Sequence, residues 1–115
     1  LEEAIAKYTE ALATCAECEG AHGLTDDLYG KLHGNRAECE LQLGQYDKCI
    51  EDADLAIEYD PCAVKAFVRK AKASHALEEY TQAEQCLRDA LDVAPGNKEV
   101  VSLQDEYRVA TLARG

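Results

Sequence analysis

The sequence predicts an all-α protein built from tandem antiparallel helix pairs and closed by a C-terminal capping helix. Three observations support this prediction. The sequence contains an internal repeat of 34 residues, its apolar residues recur at helical spacing, and only two prolines and one phenylalanine occur among 115 residues. A composition with so few helix breakers and strand formers favours helix over sheet.

The repeat is visible when the sequence is aligned with itself. Tyr46 recurs as Tyr80 and Pro61 recurs as Pro95, in both cases 34 positions later. The same offset relates five further pairs: Lys31 and Lys65, Ala37 and Ala71, Leu43 and Leu77, Ala56 and Ala90, and Ile57 and Leu91. A fixed period of this length is typical of stacked helical repeats. The sequence therefore predicts two consecutive repeats, 28–61 and 62–95.

Each repeat is predicted to contain two helices. In the repeat 28–61, apolar and small residues over 30–43 predict the first helix. Gly44 ends it, because glycine readily adopts the left-handed conformation found after helix C-termini. The second helix, over 46–59, carries an apolar stripe at the spacing of a buried helix face, formed by Cys49, Ile50, Ala53, Ala56 and Ile57. Asp60 precedes Pro61, and a residue in that position disfavours helix.

The repeat 62–95 follows the same plan, with helices predicted over 62–77 and 80–93. Small residues recur at fixed places, where Ala37 matches Ala71 and Cys49 matches Ala83. Small side chains let helix axes approach closely, and short connections force neighbouring helices to be antiparallel.

The two ends complete the predicted organisation. Residues 1–14 match the second helix of a truncated repeat, 15–27 form an insertion, and 97–113 form the capping helix that covers the last repeat. Because Leu1 begins in the middle of a helical pattern, we expect the chain to be part of a longer protein. The apolar residues of the first helix are then partly uncovered (Ile5, Tyr8 and Leu12), and weak self-association is expected.

The placement of Tyr, Gly, Ala and Pro within a period of 34 resembles the sequence pattern of the tetratricopeptide repeat (TPR) family. The resemblance covers almost the whole chain. It implies a right-handed superhelix, or solenoid, of helix pairs in which the first helices line a concave groove for an extended peptide. Such a module binds proteins rather than catalysing a reaction.

A narrower resemblance is to the carboxylate-clamp TPR domains of co-chaperones. Their signatures are Asn-Arg-Ala, found at Asn35-Arg36-Ala37, and Lys-x-x-x-Arg, found at Lys65 and Arg69. These domains bind the C-terminal carboxylates of heat-shock chaperones, and they take a further Lys and Asn from a helix that would precede this chain. Only three of the five clamp positions fall within the sequence, and all three match.

The charge pattern agrees with this resemblance. In a chain of net charge −11, the stretch 61–77 contains four basic residues and no acidic one. Arginine offers a fork of donors to a carboxylate, lysine a compact charge, and asparagine a neutral donor. Gly34 is expected to leave room for a peptide backbone. The predicted peptide-binding residues are Asn35, Lys65, Arg69, Lys72, Lys31 and Gly34.

Two functions from different classes remain open, with a third as a weaker alternative. The first is a co-chaperone adaptor that binds the acidic C-terminal tail of a heat-shock chaperone or another acidic C-terminus. The alternative is an assembly scaffold whose groove binds an internal segment of its partner. The third is a module that serves a larger enzyme. No catalytic constellation is recognisable in this chain, so we expect it not to be an enzyme. His33 and His75 lie on first helices and could face the groove, and we interpret each as a packing or surface residue.

Other partners and cofactors are not expected. The net charge of −11 disfavours nucleic acid, and no apolar run is long enough to span a membrane. Cys15, Cys18 and His22 form only a partial metal site, since structural zinc needs four ligands. Cys39, Cys49 and Cys86 fall in helical patterns, which indicates reduced thiols and a cytoplasmic protein, with the nucleus as an alternative. A solvated convex face is expected to carry Glu38, Glu40, Glu51, Asp52 and Asp54.

Overall fold

The computed structural model describes residues 2–17 and 24–114, which form helices joined by short turns. The helices are α1 (Glu2–Glu17), α2 (Leu24–Gln42), α3 (Tyr46–Tyr59), α4 (Val64–Ala76), α5 (Tyr80–Val93) and α6 (Lys98–Arg114). Each helix packs mainly against its neighbours in the chain, with α2 against α3 and α4 against α5, and α2 also contacts α4. The predicted all-α fold of tandem helix pairs is confirmed. None of the described helices is long and apolar enough to cross a membrane.

The turns inside the two helix pairs have the same backbone geometry. The Gln45 N–H donates to the carbonyl of Glu40 over 2.8 Å, and the Glu79 N–H donates to the carbonyl of Ser74 over 2.9 Å. In both turns the preceding residue has a positive φ, 78° at Gly44 and 64° at Glu78. Glycine tolerates this conformation freely, whereas Glu78 adopts it at a cost of about 1 kcal/mol. The repeat therefore fixes the turn even where its glycine is missing.

Two apolar clusters hold the helix pairs together. The first lies between α2, α3 and α4 and is formed by Ala37, Cys49, Ala53 and Ala73. The second lies between α4, α5 and α6, and its fully buried members include Ala71, Leu87, Ala90 and Val100. The small residues predicted to allow close helix approach are among the most deeply buried in the chain. Helix α6 covers the second cluster, as expected for a capping helix.

Helix boundaries differ from the predictions at the N-terminal half. Helix α2 begins at Leu24 and runs through Gly30, where the sequence predicts its first residue, and α1 extends to Glu17. Gly30 is buried against α3, where a Cβ atom at this position would make a van der Waals contact of 3.4 Å with the Cβ of Tyr59. Tertiary packing therefore outweighs the low helix propensity of glycine here. Of the predicted insertion 15–27, the two ends are helical and the middle lies outside the described residues.

Helix α1 packs against α2 and leaves part of its apolar face accessible. Ile5 and Tyr8 are half-buried, and the side chain of Leu12 lies outside the described part of the structure. Arg36 of α2 donates from Nη1 to the Thr9 hydroxyl of α1 over 3.1 Å. Weak self-association through the apolar face of α1 stays a prediction.

Candidate peptide-binding groove

An open groove of about 390 Å³ runs between the first helices of the two repeats, α2 and α4. Its floor includes the buried Ala56 and Ala66, and its walls carry five of the six residues that the sequence predicts for peptide binding: Lys31, Gly34, Asn35, Lys65 and Arg69. The sixth, Lys72, lines an adjoining cavity of about 220 Å³. Both cavities share Lys65 and Arg69. Tertiary packing thus brings the predicted residues to one surface.

The groove places polar side chains over an apolar floor. Lys31 and Asn35 are four residues apart on α2, and Lys65 and Arg69 are four apart on α4, so each pair occupies one helix face. Lys31, Asn35 and Lys65 are exposed, whereas Arg69 is half-buried. Amide and ammonium donors that face each other across such a groove are suited to carboxylate and peptide carbonyl oxygens.

Two acceptors of α2 hold the Arg69 side chain in place. Its Nη1 donates to the carbonyl oxygen of Gly34 over 2.8 Å, and its Nε donates to Oε2 of Glu38 over 3.0 Å. A Cβ atom at residue 34 would lie 3.2 Å from Nη1 of Arg69. Gly34 is predicted to leave room for a peptide backbone, and the structure gives it a different role. The space above this glycine is taken by the Arg69 guanidinium.

Glu38 lies in the adjoining cavity and not on a solvated convex face, so that expectation is wrong for this residue. Burial alone raises its pKa, but a hydrogen bond from Gln42 and the positive charge of Arg69 outweigh burial, and the pKa lies below its ordinary value. The Gln42 amide donates to Oε1 of Glu38 over 3.1 Å. Glu38 is therefore an ionised carboxylate in the cavity that adjoins the groove.

The remaining basic residues of α4, Lys70 and Lys72, lie on different sides of the helix. Lys72 approaches Glu99 of α6 to 3.8 Å and stays beside the groove. Lys70 pairs with Asp54 of α3 over 2.6 Å, so it faces the other side of its helix. Of the four basic residues in 61–77, three line the groove system and one stabilises the packing of α4 against α3.

Comparison with known proteins agrees with this geometry. Residues 1–108 match the family model described as "Bacterial transcriptional activator domain". The solved Hsp90 co-chaperone Cns1 of Saccharomyces cerevisiae superimposes with a TM-score of 0.81 and 31% identity, over 98% of this chain and 35% of that chain. The first TPR domain of Spaghetti (RPAP3), solved with the HSP90 peptide SRMEEVD, superimposes with a TM-score of 0.69 and 25% identity, over 93% of this chain and 82% of that chain. The chain therefore belongs to the family of that model, the bacterial transcriptional activator domain. By its similarity to these solved structures, it is a tetratricopeptide repeat domain.

The TPR domain also resembles part of the human zinc finger CCCH domain-containing protein 7B. The two are 30% identical over 91% of this chain and 11% of the relative. The corresponding match to yeast Cns1 covers 23% of that protein. The chain therefore spans between about a tenth and a quarter of the length of these relatives. The resemblance to the TPR family is confirmed.

A buried polar cluster lies between α2 and α3, on the side of α2 that faces away from the groove. Asp52 of α3 accepts a forked pair of hydrogen bonds from Nε and Nη2 of Arg36, over 2.8 and 2.6 Å, and it lies 3.0 Å from Nδ1 of His33. The Arg of the TPR motif Asn-Arg-Ala thus points away from the groove and joins α2 to α3. No spacing in the sequence indicates this pairing, because it depends on how the two helices pack.

The expectation of a solvated convex face is also wrong for two further acidic residues. Asp52 is 3% exposed and Glu40 is 4% exposed, whereas Glu51 and Asp54 are exposed as expected. Burial raises the pKa of Glu40 to about 8, helped by a hydrogen bond to Asp52 and by the charge of Asp52. Hydrogen bonds from His33 and Arg36 outweigh the burial of Asp52 and hold its pKa well below the ordinary value.

His33 and His75 take packing positions, one of the two alternatives that the sequence left open. His33 is buried and stacks on Tyr59 with 6.0 Å between ring centroids. His75 stacks on Tyr107 of the capping helix with 3.9 Å between centroids. Neither residue lines the groove.

The thiols and the candidate metal site complete the comparison with the sequence predictions. Cys39, Cys49 and Cys86 are buried, as expected for cysteines within helical patterns, and Cys62 is an exposed free thiol. Within residues 2–17 and 24–114, no group of three or more metal-binding side chains comes together. The side chains of Cys15, Cys18 and His22 lie outside the described part of the chain.

Proposed function

We propose that this TPR domain is a co-chaperone adaptor that binds the acidic C-terminal tail of a heat-shock chaperone. The observation that carries the proposal is the placement of Asn35, Lys65 and Arg69 around one groove, in a chain whose net charge is −11. Two similar proteins support it. The RPAP3 domain was solved with an HSP90 peptide that ends in Glu-Glu-Val-Asp, and Cns1 is named an Hsp70/Hsp90 co-chaperone.

The proposed roles follow from the chemistry of each side chain. Lys65, from α4, and Lys31, from α2, supply compact positive charges to the terminal carboxylate and to an acidic side chain of the tail. Asn35 donates its amide to a carboxylate or backbone oxygen. Arg69 and Lys72 extend the positive surface toward the preceding acidic residues. In this proposal the domain acts by binding and not by catalysis.

Cellular location and partner class belong to the same proposal. Free thiols at Cys39, Cys49 and Cys86 are typical of a reducing compartment, which supports a cytoplasmic protein, with the nucleus as an alternative. The description of the matched family names a transcriptional activator. A net charge of −11 argues against contact between this domain and DNA, because the phosphate backbone repels acidic surfaces.

Calorimetric titration with a peptide ending in Glu-Glu-Val-Asp tests the proposal. Lys65→Ala is expected to weaken binding by about 1.5–3 kcal/mol, the usual contribution of a charge-assisted hydrogen bond. Amidation of the peptide C-terminus is expected to be similarly harmful, since it removes one negative charge at the clamp. The matched control is Lys48→Ala, which removes an exposed lysine of α3 that does not line the groove.

Equal affinities for the free and amidated peptides would exclude recognition of a C-terminal carboxylate. Binding that survives amidation but is lost in Lys65→Ala favours the assembly scaffold, whose groove binds an internal acidic segment. Equal losses in Lys65→Ala and Lys48→Ala would mean that only the overall charge of the chain matters.

A further inference from the structure

Glu38 places a carboxylate of the protein itself at the groove, three residues after Asn35 on α2. Its Oε2 accepts the Nε–H of Arg69 over 3.0 Å, with the Glu38 side chain 39% exposed and that of Arg69 17% exposed. The Glu38 carboxylate of this ion pair therefore lies at the surface, whereas the Arg69 guanidinium is more enclosed. A ligand that extends from the groove into the adjoining cavity meets both groups.

Two of the five N–H donors of Arg69 are committed to the protein. A guanidinium has five N–H donors, and a carboxylate binds it best through a fork of two parallel hydrogen bonds. Nε–H of Arg69 is taken by Glu38, and Nη1 donates to the Gly34 carbonyl. A ligand carboxylate that uses the Nε edge of Arg69 must therefore displace Glu38 or share the donors with it.

The positive charge of the groove is unevenly neutralised. In the adjoining cavity, Arg69 pairs with Glu38, and Lys72 approaches Glu99 to 3.8 Å. Lys31, which lines the groove, and Lys65, which lines both cavities, take part in none of the ion pairs found among the described residues. An acidic ligand thus meets two lysines outside these ion pairs and, in the adjoining cavity, internal carboxylates.

We propose that Glu38 is an internal competitor for the ligand carboxylate at Arg69, and this inference rests on the proposed function. Binding of an acidic tail exchanges the internal ion pair of Arg69 for an intermolecular one. The exchange lowers the affinity for every acidic ligand. It also favours ligands that carry several carboxylates over those with one, because only the former engage Arg69 together with Lys31 and Lys65. Glu38 is then a specificity-determining residue of the groove.

Substitution of Glu38 by Gln tests this proposal, because Gln keeps the shape of the side chain and removes its charge. Glu38→Gln is expected to bind the peptide ending in Glu-Glu-Val-Asp about three- to tenfold more tightly than the unmodified chain, and the gain is expected to shrink as salt is added. Glu38→Ala, which removes the competing oxygen atoms as well, is expected to gain at least as much. Both variants are checked for an intact fold by thermal unfolding.

The matched control is Glu51→Gln, which makes the same change in net charge at an exposed position of α3 outside both cavities. Its affinity is expected to stay within about twofold of the unmodified chain. A gain of the same size in Glu51→Gln and Glu38→Gln would overturn the inference, since overall charge would then account for both.

A second readout follows the carboxyl group of Glu38 directly. Carbon NMR titration gives the pKa of Glu38 with and without saturating peptide, and displacement from Arg69 predicts a higher pKa in the bound state. An unchanged pKa, or an unchanged or weakened affinity in Glu38→Gln, overturns the inference and leaves the proposed function standing. If neither the unmodified chain nor Glu38→Gln binds the peptide, the proposed function is wrong and the inference falls with it.

Discussion

Asp52 and Glu40 illustrate at the residue scale how one helix interface creates opposite protonation preferences. The two carboxyl groups are buried side by side between α2 and α3. Arg36 and His33 direct donors at Asp52, which stabilises its charge. Glu40 receives no comparable donor within the described residues, and its Oε1 atom has no hydrogen-bond partner there. Burial beside a charged neighbour then favours the protonated form of Glu40.

The pKa of Glu40 predicts a stability that depends on pH. The folded protein keeps this proton up to about pH 8, whereas the unfolded chain releases it near the ordinary value of 4.5. The folded state therefore binds more protons between these values, so the stability from this group is complete below pH 4.5 and is lost as the pH rises through 8. Asp52 acts in the opposite sense, because its pKa is lowered, and its contribution is lost only on strong acidification.

Glu40→Gln mimics the protonated side chain and should remove this dependence. Between pH 5 and pH 9, the free energy of unfolding of the unmodified chain is expected to fall by roughly 1–3 kcal/mol relative to that of Glu40→Gln. Urea unfolding of both proteins at each pH measures the difference and cancels titrations that they share. Parallel pH profiles for the two proteins would show that Glu40 is ionised in the fold.

At the scale of single elements, α6 is the helix on which the last repeat depends. Its Val100, Leu103 and Tyr107 complete the second apolar cluster, and the Tyr107 ring stacks on His75 of α4. Burial raises the pKa of Tyr107 to about 12, which agrees with an enclosed ring. The opposite face of α6 is accessible, with Val109 65% exposed. One apolar stripe is thus enough to fix this helix on the solenoid.

Tyr107→Ala is expected to lower the free energy of unfolding by about 3–4 kcal/mol, because it leaves a cavity against Leu87 and removes the stacked pair with His75. Val109→Ala on the same helix is the matched control and is expected to change stability by at most about 0.5 kcal/mol. Chemical denaturation of the three proteins gives the comparison. A loss below about 1 kcal/mol for Tyr107→Ala would mean that α6 is not part of the cooperative core.

At the scale of the whole molecule, the chain is an elongated stack, with extents of 50, 29 and 19 Å. Each helix contacts its neighbours along the stack, and the two apolar clusters meet at α4 through Ala71 and Ala73. The pKa values of the buried thiols reflect this packing. Burial raises the pKa of Cys49 to about 12 and that of Cys86 to about 11, whereas Cys62 is exposed in the turn before α4.

Thiol alkylation should therefore distinguish local from global opening. At pH 7.5, iodoacetamide is expected to modify Cys62 in the folded protein, while Cys49 and Cys86 react only when denaturant opens the stack, because the thiolate is the reactive form. Peptide mass mapping at increasing urea concentration follows each site separately, and Cys62→Ser shows that modification at the exposed site does not itself unfold the protein. Reaction of Cys49 as fast as Cys62 without denaturant would contradict the packing described above.

The sequence by itself determined the repeat period, the helical fold class and the residues of the groove. Period, apolar stripes and turn residues are local features, and they repeat at an offset that any alignment of the chain with itself reveals. For that reason the bounds of α3 and α5 agree with the structure. The sequence also indicated which basic residues lie on the first helix of the second described pair, because 61–77 contains no acidic residue.

Only the tertiary structure decided how charged side chains pair between helices. Arg36 with Asp52, Arg69 with Glu38 and Lys70 with Asp54 join residues at least 16 positions apart, and no periodic pattern predicts them. The same packing buries Glu40 and extends α2 through Gly30. Helix faces are set by local periodicity, whereas the partner that each polar side chain finds depends on the rotation and distance of the neighbouring helix, which the small residues of the core fix.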